Sequence, residues 1–234
     1  MVSWPMVGAA NNAEWCDAVC RSHGIDTQAD GRVWSSRTRT PPLYPDAVTL
    51  VSDLSPDELL ARVGSSAGCS IKDSFASLDL APHGFRVLLR AQWIARPPTV
   101  VDPPAPSAMS RWSVVRGVDA FIAWERAWRG HNGPADVLRP ALVHAPGVTL
   151  LAQLLDDRIV GGAVLNGRAE VVGISNFFTA LSGGSDSWRG CLALASTLFP
   201  RATLVGYETG EALDVAIESG FESVGPLQVW IADA

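Results

Sequence analysis

Tyr207 and Glu208 close an apolar run, Thr203-Leu-Val-Gly-Tyr, and set a phenol beside a carboxylate. A phenol can donate a proton in a water-poor cleft, which makes the pair a candidate for proton-transfer chemistry. Two bland accounts compete. Buried tyrosines commonly pack the ring and bond a nearby backbone group. Glu208 before Thr209-Gly210 also suits a helix start, where a carboxylate complements the dipole.

Ser175 and Asn176 are polar residues inside another apolar run, Val171-Val-Gly-Ile-Ser-Asn-Phe-Phe. Buried polar groups need partners; these two either contact a ligand or mark a strand end where Asn176 turns the chain. Earlier in the chain, Trp34-Ser-Ser-Arg-Thr-Arg-Thr-Pro-Pro-Leu-Tyr-Pro is polar, aromatic and stiff. Trp34, Arg37, Arg39 and Tyr44 could grip an anionic or planar substrate, or they form a solvated strand edge and a proline-shaped turn. Lys72 and Asp73 are strand neighbours and point to opposite faces, which argues against a mutual salt bridge. His23, His83, His131 and His144 show no metal spacing. Cys16 and Cys20, at i,i+4, share a helix face without the further ligands that a zinc site needs. The expectation is no metal, with the four thiols acting as small buried apolar groups.

These residues need elements to position them. Arg96-Pro-Pro-Thr-Val-Val-Asp-Pro-Pro-Ala-Pro cannot sustain a helix, so residues 97–110 read as a linker between an N-terminal half (1–96) and a C-terminal half (111–234). The C-terminal half begins with a short strand at Trp112 and an amphipathic helix from Val118 to about Gly130. Three apolar runs follow, Val148–Leu155, Ile159–Leu165 and Glu170–Phe178. Asp156-Asp157-Arg158 and Asn166-Gly167-Arg168 separate them, and Asn-Gly is a strong hairpin signal. A Gly/Ser-rich loop at 182–187 leads into a helix over 186–198. A strand at 203–207, a helix at 209–219 and a last strand at 227–232 complete the order. Hairpins followed by strand–helix–strand imply a mixed, mostly antiparallel sheet with helices on its faces.

That order resembles the core of the GCN5-related N-acetyltransferase (GNAT) superfamily over residues 111–234. The resemblance implies a twisted α/β (α+β) sheet whose fourth strand bulges away from the fifth, so that a coenzyme A pantetheine arm pairs with exposed backbone. The matching strand puts Ile174, Ser175 and Asn176 at that arm, and Gly173 could accommodate the bulge. A loop and helix N-terminus would hold the pyrophosphate through free amides and the helix dipole, which assigns Ser187, Trp188, Arg189 and Gly190 to the cofactor. The closing Gly220-Phe221 junction is similar to one that is frequent in the family. Ser187-Trp-Arg-Gly-Cys-Leu departs from the family motif and keeps only its central glycine, Gly190. In many members a tyrosine near the fifth strand protonates the departing thiolate, the role that falls to Tyr207.

The first half reads as a truncated copy. Val48-Thr-Leu repeats at Val148-Thr-Leu, and Gly84-Phe followed by Gln92-Trp-Ile-Ala echoes Gly220-Phe followed by Val229-Trp-Ile-Ala. Between Val48 and Gly84 lie 36 positions, against 72 between Val148 and Gly220. Equivalence would mean that the first copy lacks the cofactor loop and its helix. A tandem of a truncated and a fuller half has one active site, with the first half shaping the substrate cleft.

Composition bounds the function. At 47% hydrophobic and 18% charged, the 234-residue chain is an ordinary globular protein. It has no run able to span a membrane and no basic leader, so the expected location is cytoplasmic. A net charge of -6, spread evenly along the chain, argues against general nucleic-acid binding. Trp4, Trp34 and Trp188 lie in or beside loops, where they line a cleft or mark a homodimer surface. The leading expectation is an acyl-CoA-dependent N-acyltransferase, acetyl-CoA being the first candidate donor, that acts on a small-molecule or protein amine. The weakened motif keeps two alternatives open: an inactive GNAT-like binding module, and a transferase of the same fold that takes an aminoacyl-tRNA donor.

Overall fold

A computed structural model describes residues 2–99, 110–168, 170–181 and 184–233. Most of the expected linker and the Ser182-Gly183 part of the expected cofactor loop lie outside these residues. The chain opens with α1 (Trp4–Ser22), whose proline at the first turn costs no hydrogen bond. Short strands β1 (Thr27–Ala29), β2 (Val33–Ser36) and β3 (Ala47–Thr49) follow. Ser55 then caps α2 (Pro56–Val63) by accepting from the Glu58 amide. Next come β4 (Ser70–Asp73), the long β5 (Phe85–Arg96), β6 (Ser110–Val114), α3 (Val118–Arg129), β7 (Val148–Leu155), β8 (Arg158–Arg168) and β9 (Val171–Thr179). The chain ends with α4 (Gly184–Leu198), β10 (Thr203–Glu208), α5 (Gly210–Glu218) and β11 (Glu222–Ala232).

Among the described residues, eleven strands form one sheet in the order β1-β2-β3-β4-β11-β5-β10-β9-β8-β7-β6. Pairing is antiparallel except at β3/β4 and β9/β10. This is the mixed, mostly antiparallel sheet with flanking helices that the pattern of elements implies. Leu150 and Leu151 sit in different clusters on opposite sides of the sheet. Residues of α1 and α3 pack with Leu150, Ala152 and Val164 on one face. On the other, α4 and α5 pack with Leu151, Ala163 and Leu165. Trp15, Trp93, Trp124 and Trp230 are all buried.

One local feature matches the sequence reading and two differ from it. Asp156 and Asp157, both at positive φ, make the tight β7/β8 turn, the twist-matched geometry for two-residue hairpins. Asn166-Gly167 does not turn; it continues β8, pairing with Gly173 and Val172. The bulge in β9 falls after Ser175: Val164 pairs with Ser175 and Gly162 with Phe178, so one extra residue stands in β9. Asn176 takes it up at φ 53°, a conformation that asparagine tolerates better than most residues. Gly173 has another role. A Cβ there would lie 1.9 Å from Asn11 Oδ1, so the glycine is a seat for α1.

The two halves interleave. β5 lies between β10 and β11, and β11 lies between β5 and β4. The matching Trp-Ile-Ala segments are therefore on adjacent strands. The Val-Thr-Leu segments are not in equivalent places: Val48 is on β3, beside a parallel neighbour, and Val148 is on β7, between antiparallel ones. The comparison of 36 with 72 positions loses its basis.

Candidate functional site

β9 and β10 pair over three rungs, ending at Val205↔Gly173. Beyond them both strands run on, β9 into its bulge and β10 to Glu208. Residues 174–176 therefore lack a partner on the β10 side, while Ile174 and Ser175 keep their pairing with Leu165 and Val164 of β8. A cavity of about 270 Å³ opens beside this gap. Tyr44, Ile174, Ser175, Asn176, Tyr207 and Glu208 all line it, so six of the thirteen site residues expected from sequence meet in one place.

The bulge is held from the N-terminal half. Asn176 Oδ1 accepts from Trp15 Nε1 at 3.1 Å and from the Tyr44 hydroxyl at 3.4 Å. Burial holds the Tyr44 hydroxyl well above the ordinary range for tyrosine, so it stays a donor. α1 itself is pinned by a reciprocal pair. Asn11 Nδ2 donates to the Asn166 carbonyl at 3.0 Å, and Asn166 Nδ2 donates to Asn11 O at 3.0 Å and Oδ1 at 3.1 Å. The next residue, Asn12, accepts from Lys72 Nζ at 2.8 Å.

Tyr207 packs edge-on against Trp93, with centroids 5.6 Å apart, and carries the Lys72 ammonium 4.0 Å from its ring centroid. Glu208 ends β10, and burial pushes its carboxyl up to about 7. A carboxylate so tuned is matched to proton abstraction near neutral pH. Cys16, another lining residue, is pushed up to about 11 by burial and is no thiolate nucleophile.

The remaining expected residues lie elsewhere. Trp34 is 3% exposed and belongs to the core that α1 and α3 share. Arg37 is exposed, and Arg39 is tied to Asp46, Ser66 and the Ala67 carbonyl. Nearby, Arg32 is bound to Glu58. On α4, Ser187 Oγ lies 3.0 Å from Thr179 Oγ1, and Trp188 is 2% exposed, stacked on Phe177 at 4.3 Å. Leu192 is core too. A Cβ on Gly190 would stand 2.4 Å from Trp112 Nε1, so that glycine admits the tryptophan of β6. Arg189 is exposed, 4.0 Å from Asp186.

Sequence reasoning missed Asn12, Trp15 and Lys72. The signals were an Asn-Asn pair inside an otherwise apolar helix, where asparagine is a poor helix former, and a lysine that is the only one in the chain. Among the described residues, no group of three or more His, Cys, Asp or Glu could hold a metal, and no helix is long and apolar enough to cross a membrane.

Strands that part beside a bulge, with helices on both faces of a mixed sheet, define the GCN5-related N-acetyltransferase fold. No family model matches the chain, and no curated protein does. Solved structures match it in shape. A GCN5-related N-acetyltransferase from Kribbella flavida superposes with a TM-score of 0.66 at 15% identity, covering 97% of this chain and 96% of that one. A GNAT-family protein from Novosphingobium aromaticivorans gives 0.55 at 13%, covering 97% and 99%. A GCN5-related N-acetyltransferase-like protein from Streptococcus suis gives 0.55 at 14%, covering 97% and 98%. The chain has the GNAT fold. The likeness spans both halves, not residues 111–234 alone.

Proposed function

We propose that the protein is an acyl-CoA-dependent N-acyltransferase whose acceptor amine binds between α1 and the parted strands. The supporting observation is that β9/β10 pairing ends at Gly173/Val205 beside the cavity that Tyr207 and Glu208 line. Acyl-CoA, acetyl-CoA first among the candidates, would supply a thioester carbon open to attack by an amine. Backbone at 174–176 that β10 does not pair fits an extended pantetheine arm. Glu208 takes the proton from the attacking amine, and the Tyr207 phenol is the proton donor within the same cavity. Residues 1–96 shape the acceptor side, since Trp15, Tyr44 and Lys72 all come from that half.

Calorimetric titration with acetyl-CoA and coenzyme A tests this reading directly. Binding of either, followed by acyl transfer to an amine, is the expected result. No heat and no thermal shift at millimolar ligand would remove it.

One observation favours a second reading, a binding module that has lost the chemistry. Asp186 in the first turn of α4 opposes an anion there, and Arg189, its neighbour one turn on, lies toward Asp186. This reading expects amine binding without donor binding.

A further inference from the structure

We infer that the acceptor is a small amine that also bears a carboxylate, held through Lys72; this rests on the acyltransferase reading for the word acceptor, though not for the binding. Lys72 is 3% exposed and lines the cavity beside Tyr207. Its contacts are a neutral amide oxygen, Asn12 Oδ1 at 2.8 Å, and the face of the Tyr207 ring at 4.0 Å. Both favour an ammonium, and neither cancels its charge. The neighbouring Asp73 does not help. It lies on the opposite face of β4, where its carboxylate accepts from the Leu78 amide at 2.9 Å and Gln228 Nε2 at 3.2 Å. Among the described residues Lys72 is in no ion pair. A buried charge without a counter-charge is costly to keep, and chains keep one where a ligand supplies the opposite sign.

A second orphan belongs to another residue of the same lining. Ser175 Oγ is buried with no partner, and it lines the cavity beside Asn176. A buried hydroxyl without a bond is unusual enough to need a reason. A ligand carboxylate answers both groups, taking one bond from the Lys72 ammonium and one from the Ser175 hydroxyl. The carboxyl of Glu208 lines the cavity too, and suits an amine. Trp15, Trp128, Phe177 and Leu43 supply apolar walls. Cation, carboxylate and aromatic lining together describe a zwitterion with an apolar body, such as a free amino acid.

The test is run on the full chain without any acyl donor, by calorimetry and thermal shift. The probes are L-phenylalanine, L-phenylalaninamide and 2-phenylethylamine, together with L-leucine, L-leucinamide and isoamylamine. In at least one series the acid should bind about tenfold or more tighter than its amide and its decarboxylated amine. In Lys72→Met, a near-isosteric change, that preference should fall to about one, while the ligand-free protein melts higher than wild type because the unpaired charge is gone. Equal binding of acid and amide by the wild type overturns the inference, as does failure of all six probes to bind. Retention of the acid preference in Lys72→Met overturns it as well. The wild-type comparison needs no variant to fold. Acetyl-CoA is titrated separately, so a protein that takes the acid but not the donor sinks the transferase reading and leaves this one standing.

Discussion

Trp15 Nε1 donates to Asn176 Oδ1 over 3.1 Å, across a separation of 161 residues. The first helix thus sets the orientation of the residue that bulges β9 away from its partner. Tyr44 shares the same acceptor at 3.4 Å. The gap between β9 and β10 is therefore a property of both halves of the chain, since neither donor comes from the sheet that contains the bulge.

Shared acceptors make a prediction about coupling. Trp15→Phe and Tyr44→Phe each remove one donor and leave the other; the tyrosine variant should cost about 1 kcal/mol or less in urea unfolding, and the tryptophan variant, which also empties buried ring volume, about 1–3 kcal/mol. The double variant leaves a buried amide oxygen with neither bond. Its cost should exceed the sum of the singles by at least about 0.5 kcal/mol. The same variant should lower the rate of acyl transfer about tenfold, because the backbone at 174–176 loses its fixed position. Additive energies with an unchanged rate would show that the bulge holds itself.

A close approach makes the second prediction. Gly173→Ala would put a methyl 1.9 Å from Asn11 Oδ1 and 2.5 Å from Asn166 Oδ1. Those side chains cannot swing away freely, because their amides are bonded to each other and to backbone. The expected loss is about 1–3 kcal/mol, the usual cost of overpacking. Adding Asn11→Ala removes the nearest obstacle. The double variant should then be less destabilised than the two singles together. Strict additivity would place the strain in the strand rather than at α1.

The sequence carried the local half of this arrangement well. Apolar runs broken by Asp-Asp located the meander, and Tyr207-Glu208 with Ser175-Asn176 stood out as polar groups ending or interrupting buried strands. Position within a run does not say which residue is extra, so glycine at 173 drew the bulge that asparagine at 176 takes up. Asn166-Gly167 shows the same limit: a turn-forming pair is overridden when Asn11 offers three hydrogen bonds. Trp188 sits beside a Gly/Ser loop in sequence, yet one turn of helix carries it inward to stack on Phe177. Lys72, Asn12 and Trp15 reach the cavity only because β5 inserts between β10 and β11 and draws the first half across the second. Strand order of that kind is non-local and leaves no periodicity to read.

The last prediction concerns pH. Burial raises the Glu208 carboxyl from its ordinary 4.5 to about 7, so the folded state holds this proton more tightly than the unfolded chain does. Its contribution is fully present below about 4.5 and is lost as pH rises through about 7, because ionisation inside the fold is opposed by burial. Glu208→Gln carries no ionisable group there. Relative to wild type, the variant should gain stability steadily between pH 4.5 and 7 and hold a constant difference above that, as melting temperatures in a buffer series would show. Catalysis runs the other way. Only the ionised carboxylate can accept the amine proton, so the acyl-transfer rate should climb with pH and level off above about 7. In Glu208→Gln that limb should vanish along with at least about 99% of the rate, within the range that general-base removal commonly costs. A variant that keeps the wild-type pH profile would take the base away from Glu208, whatever its effect on stability.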